Sequence, residues 1–165
     1  MNPEVVASEL EELGLSPDDV GALFLVPGAV VAWADNHADM NELETIASRH
    51  AHADCGEDMI CVSEEARQII YYHFVYQYPD KYMLEKACRI IHGLIKSCST
   101  EEERNRIRKF IADVCVDVAR SSGDGLLGFL NRIDPNEKQV ISNFTHNIEL
   151  RKSSEAAEIL QELGL

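Results

Sequence analysis

Positive charge is nearly missing from the first 67 residues of this chain, where fifteen carboxylates stand against two bases, Arg49 and Arg67. Residues 68–165 hold 14 acids and 13 bases, so the net charge of −14 divides into −13 and −1. That balance excludes nucleic acid as a partner, because binding it requires cationic neutralisation of phosphates. It argues against membrane insertion and an anionic lipid surface on the same ground. Metal cations and basic proteins are the partners it favours.

Other absences narrow the class further. The five cysteines (Cys55, Cys61, Cys88, Cys98, Cys115) include no C-x-x-C pair. An odd count without tight spacing predicts reduced thiols in a cytoplasmic protein. The start, Met1-Asn2-Pro3-Glu4, is acidic and does not read as a secretion signal. The longest uncharged run, Val20 to Ala34, has 15 residues interrupted by Pro27. A spanning helix needs roughly 20, so this run predicts a core helix. No segment is low in complexity or linker-like, and the length suits one domain over 1–165.

What is present is helical periodicity. Ser16-Pro17-Asp18-Asp19 reads as a capping box ahead of Val20, Leu23, Phe24, Val30, Val31 and Ala34, with Pro27-Gly28 expected to kink or split that helix. A helix opened by Asp39 turns Leu43, Ile46 and Ala47 inward and ends near His50 to Ala53, and 54–62 reads as a loop. Ser63-Glu64-Glu65 starts the next, through Ile69, Ile70 and Phe74. Its β-branched and aromatic density leaves a strand open on propensity, but the missing alternation favours a helix. Tyr78-Pro79-Asp80 breaks it. Leu84, Ala87, Cys88, Ile91, Leu94, Ile95 and Cys98 then form one stripe, and Ile107, Phe110, Ile111, Val114, Cys115 and Val118 form another, capped at Ser99-Thr100. Asp134 opens a helix bearing Val140, Ile141, Phe144 and Ile148. The pattern predicts an all-α domain of seven to eight helices.

A short acidic phrase occurs twice, 95 residues apart: Asp39-Met40-Asn41-Glu42 and Asp134-Pro135-Asn136-Glu137. Each fits a capping box, where Asp and Glu accept bonds from backbone N–H groups lacking helical partners. Asp35 does not share that explanation. It falls at the end of the preceding helix, where the macrodipole disfavours a carboxylate by about 0.3–1 kcal/mol. Capping alone is one reading; the other adds a divalent cation, or a cationic partner, at Asp35, Asp39 and Glu42. Hard oxygen ligands suit Ca²⁺, Mg²⁺ or Mn²⁺, although the glycine and distal glutamate of an EF-hand are missing.

The run Leu25-Val26-Pro27-Gly28-Ala29-Val30-Val31-Ala32-Trp33-Ala34-Asp35-Asn36-His37-Ala38-Asp39-Met40-Asn41-Glu42 resembles the signature of the TerB-like family, named for bacterial tellurite-resistance proteins. Ala119 to Gly128, followed by Ile133-Asp134-Pro135-Asn136-Glu137, resembles that family's second repeat, so the likeness extends from Val20 to Leu150. It implies a single compact bundle built from two related halves, with a core over 16–150 and short flanking helices at 3–14 and 154–163. It also implies a bacterial cytoplasmic stress-response role with no enzyme activity, and acidic metal positions at Asp35, Asp39, Glu42, Asp134 and Glu137. Asn36 stands where the family usually has glycine, and Arg120-Ser121 replace the second Ala-Asp pair. The metal expectation therefore falls on the first half.

Other constellations carry less. Gly123-Asp124-Gly125-Leu126-Leu127-Gly128 matches G-x-G-x-x-G, but a helix precedes it where a dinucleotide site needs a strand. His50, His52 and Cys55 could hold Zn²⁺ or Ni²⁺, or simply favour a helix C-terminus. Trp33 and the tyrosines at 71, 72, 76, 78 and 82 read as core and rim. The functional expectation is a non-enzymatic tellurite- or stress-resistance-type protein with an acidic cation-binding turn. The alternative is a helical adaptor whose acidic half docks a basic protein without metal. A homodimer is compatible with either.

Overall fold

The computed structural model describes residues 3–33, 38, 40–48 and 62–121, together with positions 142, 146, 149, 152, 157 and 161. Among the described residues the regular structure is helical, with no strand. Of the expected helix from Asp134 only Ser142 and His146 are described, and of the one over 154–163 only Ala157 and Gln161, all four helical; the Gly123–Gly128 loop and the 54–61 part of the expected loop lie outside the described residues.

Helix α1 (Pro3–Glu12) ends in a Schellman-type turn. Leu15 N–H bonds Leu10 O at 2.9 Å and Gly14 takes φ +78, a conformation glycine adopts without a Cβ penalty. This turn folds Leu10, Leu13 and Leu15 into the core.

The stretch after Ser16 departs from expectation. Pro17–Leu25 is a 3-10 helix rather than an α-helix, and Ser16 caps nothing with its side chain. Ser16 Oγ donates instead to Asp19 Oδ2 at 2.7 Å. Pro27 accounts for the break with α2 (Val26–Ala32), one residue earlier than its own position. Having no N–H, Pro27 cannot bond Leu23 O in the α pattern; Val26 N–H bonds that carbonyl instead. Every residue from Gly21 to Ala32 is buried. An apolar segment covered on all sides is a central one, so the uncharged run does form core, in two helical pieces.

Helix α3 (Met40–Ser48) begins at the residue after Asp39, with Glu42 in its first turn. Helix α4 (Glu64–Ile70) has the expected cap, Ala66 N–H bonding Ser63 Oγ at 3.1 Å. It does not continue as α-helix through Phe74. Tyr71–Val75 is a π turn, closed by Tyr76 N–H on Tyr71 O at 2.7 Å. The extra residue lets adjacent Phe74 and Val75 both point inward.

Asp80 caps α5 (Lys81–Ser97), accepting from Tyr82 N–H at 2.8 Å and Met83 N–H at 3.4 Å. Thr100 and Glu103 cap α6 (Glu101–Ser121) reciprocally, Glu103 N–H on Thr100 Oγ1 and Thr100 N–H on Glu103 Oε2. The stripes expected on both helices face the core, joined by Ile90. Helices α2 and α3 pack on α6, while α1 packs on α5.

Candidate functional site

Of the residues assigned to an acidic metal turn, the described structure contains Glu42. Asp35, Asp39, Asp134 and Glu137 lie outside the described residues, as do His50, His52 and Cys55. Glu42 is buried, 4 % exposed, at the start of α3. Among the described residues no three His, Cys, Asp or Glu side chains gather in a way that could hold a metal ion. The geometry on view is one of charge and surface.

Several cations of the described helices are engaged within the molecule. Lys86 on α5 is 2 % exposed and pairs with Glu12 of α1, while Arg89 meets Glu9 at 2.6 Å. Arg67 pairs with Glu64, Arg104 with Glu101 at 2.7 Å and Lys109 with Asp113 at 2.8 Å. The hydrogen bond that Lys86 donates to Glu12 raises the Lys86 pKa above its ordinary value, and the one that Arg89 donates to Glu9 does the same for Arg89. By contrast, Glu11, Asp18, Glu44 and Glu65 are exposed and make no ion pair among the described residues.

A second charged knot joins α5, α6 and Glu149. Buried Arg108 donates through Nη1 to Glu101 Oε1 at 2.8 Å and Asn105 Oδ1 at 3.0 Å, and its Nη2 lies 3.7 Å from Glu149 Oε2. Lys152 Nζ is 2.9 Å from the same oxygen and His92 Nε2 is 3.8 Å from the other. Lys152 above all, then His92 and Lys96, hold the Glu149 carboxyl below its usual range. Glu149 adopts φ +57, an uncommon conformation for a residue other than glycine. Within this cluster Arg108 Nε and His92 Nε2 are buried without a hydrogen-bond partner.

The aromatic segment was expected as core and rim, and its tyrosines are all surface. Tyr71, Tyr72, Tyr76, Tyr78 and Tyr82 range from 40 % to 71 % exposed. Trp33 is half-buried, edge-on to Tyr78 with ring centroids 6.0 Å apart, and its Nε1 has no hydrogen-bond partner. Beside Tyr71 opens a cavity of about 170 Å³. Leu25, Ile46, Ile70 and Val75 form its apolar floor, and Glu64, Arg67, Gln68 and Tyr71 its rim. Sequence reasoning missed this cavity. The dense aromatic and β-branched run from Ile69 to Tyr78 was its trace, but a π turn has no sequence signature.

No family model, no curated protein and no solved structure matches this chain.

Proposed function

We propose that this chain is a non-enzymatic helical binding module of TerB-like type, with seven to eight helices in two related halves, whose acidic N-terminal half docks a cationic protein. The observation that carries this reading is the internal engagement of Arg67, Lys86 and Arg89. Each neutralises a carboxylate of the first half or of α4, yet Glu11, Asp18, Glu44 and Glu65 are exposed without an ion pair among the described residues. A surplus of one sign presented to solvent steers an oppositely charged partner and favours fast association.

Binding of an oligolysine peptide to the intact chain tests it, followed as ionic strength rises. Affinity should fall steadily with salt and weaken by about tenfold (about 1.4 kcal/mol) when Glu11, Asp18, Glu44 and Glu65 are all changed to Gln. No binding at low salt would sink the reading.

A second reading is a divalent cation held by Asp35, Asp39 and Glu42, whose hard oxygen ligands suit Ca²⁺, Mg²⁺ or Mn²⁺. Thermal unfolding with added Ca²⁺, Mg²⁺ or Mn²⁺ separates the two. A ligand that binds the folded state raises the Tm, and Asp35→Asn should remove the rise. An unchanged Tm with all three ions eliminates the metal.

A further inference from the structure

Protein interiors are packed to the density of organic crystals, so an unfilled apolar space open to solvent asks for an occupant. The cavity beside Tyr71 measures about 170 Å³. An apolar cavity of roughly 150 Å³ accepts a benzene-sized guest, so this one has room for a leucyl, isoleucyl or phenyl group. Its floor is aliphatic and its polar groups stand at the mouth, the layout of a pocket that receives an apolar group and orients it from the rim.

Three features around the cavity bear on the guest's charge. At the mouth itself Glu64 and Arg67 pair with each other. Away from the mouth, the flanking helices α3 and α4 carry Glu44 and Glu65, exposed and without an ion pair among the described residues. The π turn brings Tyr71 to the rim beside Tyr76, ring centroids 6.4 Å apart, with Tyr76 71 % exposed. Exposed tyrosine faces attract ammonium and guanidinium groups. The same chemistry operates elsewhere in this chain, where Lys86 Nζ lies 4.8 Å from the centroid of the Tyr82 ring.

We propose that this cavity is the anchor point for the cationic partner. A partner segment seats one leucine-, isoleucine- or phenylalanine-sized side chain in the cavity. A neighbouring lysine or arginine of that segment lies against Tyr71, Tyr76 and the carboxylates of α3 and α4. The inference rests on the docking reading above and adds to it a place and a side-chain chemistry. A buried anchor ringed by tyrosine is the usual form of an interface hot spot.

The test uses the intact chain, methyl-labelled for NMR, with 2-phenylethylammonium as probe, 3-phenylpropionate as its anionic counterpart and 2-phenylethanol as the neutral one. Phenylethylammonium should move the methyl signals of Leu25, Ile46, Ile70 and Val75 and bind about tenfold tighter than phenylpropionate, a difference of about 1.4 kcal/mol. Glu44→Lys with Glu65→Lys should erase that preference and leave phenylethanol binding unchanged. Val75→Phe, which fills the space, should abolish binding of all three. Gln68→Trp should do the same from an exposed rim position, without disturbing the core. Methyl signals that stay still, or that respond equally to cation and anion, overturn the anchor. If oligolysine still binds in that case, the docking reading survives and only the anchor falls; if oligolysine fails as well, both fall.

Discussion

Gly28 of α2 lies so close to α6 that a methyl group in place of its hydrogen would stand 2.6 Å from Val114 Cγ1. Val114 is fully buried and β-branched, so it has no free rotamer into which to retreat. The contact sets how closely α2 approaches α6.

Gly28→Ala therefore opposes two effects. Alanine gains about 1 kcal/mol of helix propensity over glycine, while overpacking a filled core costs about 1–3 kcal/mol. Packing should win, with a net loss of about 1 kcal/mol and no more than about 2, read as a lower denaturant midpoint at unchanged slope. A variant as stable as the parent would mean that α2 and α6 separate freely.

Lys86 and Glu12 make a pair with one buried member. Glu12→Gln removes the carboxylate that neutralises a buried ammonium and should cost about 1–2 kcal/mol, a figure reduced because Glu12 itself faces solvent. Lys86→Met in the same background should restore most of that loss. The Lys86 pKa is raised, so its contribution is whole below the unfolded value of about 10.4 and disappears as pH climbs through the folded one. Stability measured above pH ~10 should decline in the parent and lack that component in Lys86→Met.

Asp19 ties the 3-10 helix to the start of α4. It accepts from Ser16 Oγ at 2.7 Å and from Ser63 N–H at 3.3 Å, and these bonds, Ser16 first, lower its pKa. A lowered carboxyl pKa stabilises above the unfolded value of about 3.9, and the benefit is lost as pH falls through the folded value. Asp19→Asn should cost about 0.5–1.5 kcal/mol at neutral pH and flatten the acid limb of the stability profile. An acid limb identical to that of the parent would contradict the link.

Burial pushes the Cys115 thiol up to about 12. Cys98 is half-buried and raised less, by burial first and then by Glu103. Since the thiolate is the reactive form, iodoacetamide at mildly alkaline pH should label Cys98 well before Cys115, with Cys115 reacting only as the chain unfolds. Peptide mass spectrometry over time gives the order. Equal rates would place Cys115 nearer the surface.

Much of the fold was legible because its signals are local. Ser63 and Thr100 cap helices where their side chains reach the next free N–H groups, a matter of three residues of sequence. The stripes Leu84–Cys98 and Ile107–Val118 follow from helical periodicity alone. The acidic surplus is plain arithmetic on the chain. Ser16 shows the limit of that logic: its capping motif was present, but Asp19 bonds Ser63, 44 residues away, and the segment tightened into a 3-10 helix.

Determined by the sequence itself were helical class, the central apolar segment, most helix starts and the acidic net charge, because each depends on near neighbours or on a sum of charges. Left to tertiary structure were the π turn at Tyr71–Val75, the burial of Lys86 and the cavity between α3, α4 and the 3-10 helix. Those depend on which surfaces meet. Ile46, Leu25 and Val75 are distant along the chain, and no local rule says they will leave a space between them; only the packing of whole elements against α6 and the core does.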